Sequence, residues 1–433
     1  MTFRFIVSLM LFSLLGLRLP LCWSQSLPGA DGDVAIHNAA VETVLYSFAE
    51  DVNGAYPLSR VLRGSNGRLY GTTNLSGIAG GTVFELTHSR SGVWTITAVH
   101  DFDVNTEGAY PAAGLVFDTS GRLYGTTTLG GASNAGTVFE WFYESGAWQF
   151  KVIYTFAGGH DGQAPAGDLI FDAAGDLYGT TPYGGEFGQG TVFELVPSQG
   201  GQWTEKVLYS FRGKRDGATP LGALVFDRAA HLYGTTNQGG GAKPCSAGCG
   251  TVFKLAPHGK GKWIETVLYR FQGTTDGALP HGGLAIDQDG SLYGTTNFAG
   301  DLTCNGGAGC GTVFKIDQND SETVLHSFTS GNADGMFPLA GLVFGPGHNL
   351  YGTTYAGGAV NQGTVFKISE HGRLTTLHSF QGSPHDGQGP EAPISFDKAG
   401  NAYGTTFSGG TGSTGTVFKI TRSVGRTRNS SRF

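Results

Sequence analysis

Seven near-copies of one five-residue phrase constrain this chain more than anything else in it. Leu69-Tyr70-Gly71-Thr72-Thr73 returns around Tyr124, Tyr178, Tyr233, Tyr293 and Tyr351, and finally as Ala402-Tyr403-Gly404-Thr405-Thr406. The tyrosines stand 54, 54, 55, 60, 58 and 52 residues apart. A period near 50 belongs to chains that stack one supersecondary unit on the next. A short stretch after each phrase comes Gly-Thr-Val-Phe, at Gly81, Gly136, Gly190, Gly250, Gly311, Gly363 and Gly415. Next is a β-branched and aromatic run such as Thr266-Val267-Leu268-Tyr269-Arg270-Phe271, then a turn such as Asp276-Gly277-Ala278-Leu279-Pro280. An apolar run such as Gly114-Leu115-Val116-Phe117-Asp118 leads back to the phrase. Each repeat thus holds four short strand-like runs separated by turn residues, with no helical period. Four strands in about 54 residues make one propeller blade.

The two ends of the chain choose between a closed ring and an open stack. We label the apolar run A, the phrase B, Gly-Thr-Val-Phe C and the β-branched run D. The chain opens with a lone D run, Val41 to Phe48, and the last repeat has A, B and C with no D after Ile420. The N-terminal run is therefore the piece that the last blade lacks. An open solenoid would need polar caps at both ends. The prediction is an all-β, seven-bladed β-propeller over residues 41–421, with four-stranded blades and the last blade closed by the N-terminal strand.

Glycine is high, 73 of 433 residues, but it falls at the repeated turns, and hydrophobic residues still make up 39%. Charged residues are 14% and the net charge is -7, which argues against a nucleic-acid partner. Residues 1–24 read as a secretory signal: Arg4, an apolar core from Phe5 to Leu17, and a cleavage site at Cys22-Trp23-Ser24. That core is short for a bilayer span. Residues 25–40 read as a flexible lead-in and 422–433 as a basic, disordered tail. The expectation is a monomeric, secreted or cell-envelope protein without a transmembrane anchor.

The recurring Leu-Tyr-Gly-Thr-Thr, Gly-Thr-Val-Phe and Val-Leu-Tyr-Ser-Phe resemble the GloVer tandem repeat of bacterial extracellular proteins. The resemblance runs from about Val41 to Ile420. It implies a bacterial exported protein. Members often carry a C-terminal sorting anchor, and here the chain departs from the pattern by ending in a polar basic segment. No catalytic residue is carried over by the resemblance.

Residues present in every repeat serve first what all blades share, which is packing. Gly71 and its equivalents are expected to admit a close ring or backbone, and the Phe of Gly-Thr-Val-Phe to fill the gap between blades, worth about 1.5–3 kcal/mol each. The D–A turns carry Asn53, Glu107, Asp161, Asp216, Asp276, Asp334 and Asp386. Their plain reading is turn closure. The alternative is a carboxylate ring near the channel mouth that gathers Ca²⁺ through hard oxygen ligands. His160, His281 and His385 flank three of these turns as candidate ligands or acid/base groups. Cys245 and Cys249 share one B–C loop, and Cys304 and Cys310 the next. In an exported protein they predict two local disulfides, with a four-thiolate zinc site as the rival.

Residues that differ between blades are the better guide to binding. The position before the turn proline is Tyr56, Tyr110, Ala164, Thr219, Leu279, Phe337 and Gly389 around the ring. It gathers aromatics on blades 6, 1 and 2, with a gap on blade 7. Tyr183, Phe298, Tyr355 and Phe407 come from the B–C loops of the same face. Such rings suit sugar faces or peptide side chains. The reading that follows is a secreted binding module that uses its loop face for a glycan or surface protein. The alternatives are a lyase- or lactonase-like propeller enzyme at the channel mouth and a structural cell-surface component. No nucleophile elbow or zincin motif is present.

Overall fold

In the computed structural model, residues 40–49, 53–75, 80–259, 261–329 and 334–421 are described, and all belong to one compact unit, Asn38–Phe433. The expected leader at 1–24, nearly all of the lead-in and the tail at 422–433 lie outside the described residues. Seven four-stranded antiparallel sheets follow the repeat. The blades are all-β and form a seven-bladed propeller, with only two 3-10 turns, Asn305–Gly307 and Pro346–His348, among the described residues. No described helix is long and apolar enough to cross a membrane.

Blade 1 shows the common plan: A at Leu62–Arg63, B at Leu69–Thr73, C at Thr82–His88 and D at Trp94–Asp101. Blade 7 is assembled from both ends of the chain. Its order is Val41–Ser47, Thr416–Thr421, Ala402–Thr406, Ser395–Phe396. Val41 pairs with Thr421 and Ser47 with Thr416, so the N-terminal run is the missing D strand and the ring has no free C strand there.

The phrase is fixed by three contacts that recur from blade to blade. First, a Cβ on Gly71 would meet the Phe84 ring at 2.7 Å. The same clash would arise at Gly125, Gly179, Gly234, Gly294, Gly352 and Gly404, against the Phe of the paired C strand. The glycine exists so that the ring can lie on the backbone. Those rings are fully buried, and the core clusters cross the blade seams: Tyr70 and Val83 of blade 1 pack with Leu115, Leu123 and Phe139 of blade 2.

Second, the last Thr of each phrase shares a hydrogen bond with the Thr of Gly-Thr-Val-Phe, from Thr73 with Thr82 at 2.7 Å to Thr406 with Thr416 at 2.8 Å. Third, the first Thr reaches the next blade. Thr295 donates to the Ala340 carbonyl (2.8 Å), Thr235 to Gly282 (3.1 Å) and Thr405 to Ser59 (2.8 Å). Thr72, Thr180 and Thr353 do likewise. These hydroxyls latch blades together. Thr126 is the exception, with a buried hydroxyl that has no partner.

This exception gives a matched pair of substitutions. Thr295→Val removes a buried interblade bond and should destabilise the protein by about 1 kcal/mol. Thr126→Val removes a hydroxyl that is desolvated without return, and should be neutral or stabilising. Urea unfolding midpoints of the two variants check the difference; equal losses would contradict the latch.

Candidate functional site

The loop face is built from the D–A turns and B–C loops, and one position organises it. The residue before each turn proline has a left-handed backbone in every blade: Tyr56 (φ 58°), Tyr110 (57°), Ala164 (60°), Thr219 (56°), Leu279 (55°), Phe337 (59°) and Gly389 (62°). For residues with a Cβ this costs about 1–2 kcal/mol. Backbone bonds hold it there. The N–H donates to the carbonyl that precedes Gly-Thr-Val-Phe in the previous blade, as Tyr56 to Thr414 (2.7 Å) and Phe337 to Cys310 (3.0 Å). The carbonyl accepts from the B–C loop of its own blade, as from Asn74 to Tyr56 (3.1 Å) and from Phe407 to Gly389 (3.0 Å). Because the backbone does the fixing, the side chain is free to vary from blade to blade.

On one side of the ring those side chains meet the loop aromatics. Phe337 of blade 6 lies against Phe298 of blade 5, with ring centroids 5.5 Å apart. Tyr56 of blade 1 lies against Phe407 of blade 7 at 5.0 Å. Between these pairs, Gly389 does not leave a gap. The Tyr355 ring covers it, 3.0 Å from where a Cβ would stand. The aromatic side therefore spans blades 5, 6, 7 and 1. Tyr110 and Tyr183 belong to blades 2 and 3, and among the described residues no ring contacts them.

Glu391 sits two residues past Gly389 and is not part of any recurring motif. The equivalent positions are Leu58, Ala112, Ala166, Leu221, His281 and Leu339. Its Oε1 is sealed from solvent and has no hydrogen-bond partner. Burial raises its pKa to about 8, so it is mostly protonated at neutral pH. Tyr355 is its neighbour: burial first, and the Glu391 charge second, push that phenol up to about 12. His281, two blades away in the same column, donates from Nδ1 to the Leu339 carbonyl (3.2 Å), and burial lowers its pKa. The A-segment backbones touch from blade to blade, since a Cβ on Gly222 or Gly282 would strike the neighbouring segment. In this central ring Arg60 of blade 1 reaches Asp168 of blade 3 (2.9 Å) across Gly114 of blade 2. Glu391 stands in a column of Leu and Ala with one His, and Arg60 and Asp168 share a column that is otherwise Gly, Ala and Pro, but no local motif marks them.

The turn carboxylates face the other way, toward the outermost strands. Asp161 accepts from the Tyr154 hydroxyl (3.0 Å) and the Ala157 N–H, Asp216 from Tyr209 (2.9 Å), and Asp276 from Tyr269 (3.1 Å) and the Gln272 N–H. Glu107, Asp334 and Asp386 bond instead to His100, His326 and His378, each at 2.9 Å. Their oxygens buckle each turn onto strand D. His160 and His385 are exposed on their turns, whereas His281 is set into the central ring. These three histidines form no common ligand set: the one cluster of His and acidic ligands close enough for a metal, among the described residues, is Glu42, His378 and Asp386. The four cysteines form the two local disulfides Cys245–Cys249 and Cys304–Cys310, with Cα atoms 5.2 and 5.7 Å apart, and not a thiolate site. The second is packed in the core beside Val313 and Phe328.

A profile of the Gloeobacter/Verrucomicrobia repeat matches residues 32–169, 97–307 and 242–433. The chain belongs to this repeat family. The family and the disulfides are both consistent with export. No curated protein matches the sequence. Among solved structures, a candidate 6-phosphogluconolactonase from Bacteroides uniformis is similar at 15% identity and a TM-score of 0.50, covering 78% of this chain and 88% of that one. A Lactobacillus plantarum protein is similar at 16% identity and a TM-score of 0.47, covering 74% and 84%. At these identities the likeness concerns backbone architecture alone.

Protonation of the buried carboxyls yields a pH dependence. Burial, together with a facing aspartate, raises Glu42, Glu205, Glu265 and Glu322 to about 7, and burial raises Glu391 to about 8, from an ordinary 4.5. Across this window the folded chain holds more protons than the unfolded one, so stability falls as pH rises. His281 opposes this, because its folded pKa is lowered, but it is one group against five. Melting temperature in EDTA should drop from about pH 5 to about pH 8, and Glu205→Gln or Glu391→Gln should flatten the drop. A melting temperature that rises over that range would contradict the assignment.

Proposed function

We propose that this protein is an exported binding module that holds a neutral glycan against the aromatic side of its loop face. The observation that supports this is the two ring pairs Phe298–Phe337 and Tyr56–Phe407, with the Tyr355 ring over Gly389 and the uncharged carboxyl of Glu391 next to it. Aromatic faces stack on the apolar faces of sugar rings, and a protonated carboxyl can both donate to and accept from their hydroxyls. Each ring contact contributes about 0.5–1.5 kcal/mol beyond burial, so three give a weak site. Useful avidity would come from an extended chain or a repetitive surface.

A second reading, hydrolysis of a sugar lactone, takes its chemistry from the same Glu391. A carboxyl protonated at neutral pH is a competent general acid. The name of the Bacteroides uniformis protein points to such a substrate, and the likeness in fold alone gives it no further weight.

A glycan array followed by calorimetry separates the outcomes. Tyr355→Ala/Phe407→Ala should abolish binding while Tyr110→Ala, outside the aromatic side, leaves it intact, with melting temperatures of both variants near wild type. Absence of glycan binding by wild type, or equal binding by the double variant, would overturn the proposal. Capture of a surface protein in its place, lost in the double variant, would keep the site and change the ligand. Lactone turnover lost in Glu391→Gln would establish the second reading.

A further inference from the structure

Four glutamates occupy one column of the outermost strands: Glu205, Glu265, Glu322 and Glu42, paired with Leu195, Leu255, Ile316 and Ile420 of their C strands. The same column holds Ile96, Phe150 and Leu374 in blades 1, 2 and 6. Each glutamate feels the turn aspartate of the preceding blade, Asp161, Asp216, Asp276 or Asp386, and each has a buried Oε1 with no hydrogen-bond partner. At three of these seams the third group is a tyrosine, Tyr154, Tyr209 or Tyr269, which donates to the aspartate. At the fourth, a histidine replaces the phenol. His378 Nε2 lies 2.9 Å from Asp386 Oδ2, and Glu42 completes the group.

We propose that Glu42, His378 and Asp386 bind one divalent transition-metal ion, zinc in the first instance, which ties the N-terminal strand to the outer strand of blade 6. One imidazole nitrogen and two carboxylate oxygens are a donor set that zinc takes, with water in the fourth position. The three ligand atoms lie within 4.8 Å of one another. Donors at about 2.0–2.2 Å around a tetrahedral ion stand roughly 3.4 Å apart, so the widest separation closes by up to about 1.4 Å while His378 Nε2 and Asp386 Oδ2, now 2.9 Å apart, open by about 0.5 Å. The ligands are already oriented. Asp386 is buried, 6% exposed, and is held by the N–H groups of Gln381 (2.8 Å) and Gly387 (2.6 Å). The His378 ring stands edge-on to Phe380 at 4.7 Å. Such outer partners fix a ligand's direction before the ion arrives.

The sister seams explain why one ion is expected and not four. Their phenols have raised pKa values and stay protonated at neutral pH, which makes them poor ligands. At the Glu42 seam the His378 imidazole supplies the nitrogen ligand that those seams lack. Glu42 and His378 stand on the outermost strands, and Asp386 on the turn that also carries Gly389.

The test uses untagged full-length exported protein, stripped with EDTA and titrated with Zn²⁺ by calorimetry, with Co²⁺ absorption as a second probe of the ligand set. One ion per chain should bind and raise the melting temperature. His378→Tyr rebuilds the arrangement of the Tyr209, Asp216 and Glu265 seam, so it should fold normally yet lose affinity by about 100-fold or more. Glu42→Gln should lose about 10-fold or more. No uptake of zinc by wild type, uptake unchanged in His378→Tyr, or several equivalent ions per chain would each overturn the proposal.

Discussion

The pairing of Val41–Ser47 with Thr416–Thr421 joins residues separated by 380 positions in sequence, and every other seam depends on it. Each remaining blade is made from consecutive strands and closes locally. This one brings the chain's two ends together, and without it the C strand of blade 7 would present an unpaired edge. Loop-closure entropy grows slowly with length, so the cost of joining distant ends is modest once the other blades have curved the chain into an arc. What holds the arc is repeated and small: a Phe ring on a glycine, a Thr–Thr bond, and a Thr hydroxyl on the next blade's carbonyl. None is strong alone, and their repetition in nearly every blade gives the ring its regularity.

A ring of near-identical blades cannot distinguish one direction from another, so selective binding has to come from positions that break the symmetry. The position before the turn proline does this at little structural expense. Its backbone is clamped by two hydrogen bonds to adjacent segments, which leaves the side chain unconstrained by the repeat. The aromatic side, the central Glu391 and the Arg60–Asp168 pair all arise where one blade departs from the others. The same logic applies on the rim, where His378 stands for a tyrosine and creates a ligand set that the sister seams lack.

Much of the scaffold was legible in the sequence because its determinants recur at one spacing. The phrase, Gly-Thr-Val-Phe and the lone N-terminal D run were enough for blade number, strand order and closure. Pairing within each loop was the favoured reading of the four cysteines over cross-pairing, and both disulfides have it. The site was less legible, because its contacts join different blades. Asp386 reads as a turn-closing residue, with a mouth carboxylate as the alternative, and nothing local in the sequence marks its bond to His378, eight residues earlier. Gly389 reads as a gap until Tyr355 of the preceding blade fills it. Glu391 has no motif at all, and only alignment of the blades exposes a carboxyl in a column of Leu and Ala with one His. The leader and the tail concern residues outside the described structure.

Native-state hydrogen exchange of the N-terminal strand tests the closed ring most directly. If Val41–Ser47 is an integral strand of blade 7, the amides that pair with Thr416–Thr421 should exchange only through global unfolding, with the same protection as the central strand Leu232–Thr236 of blade 4. Rapid exchange of those amides while blade 4 remains protected would mean that the end frays freely, and would contradict closure as the interaction on which the fold depends.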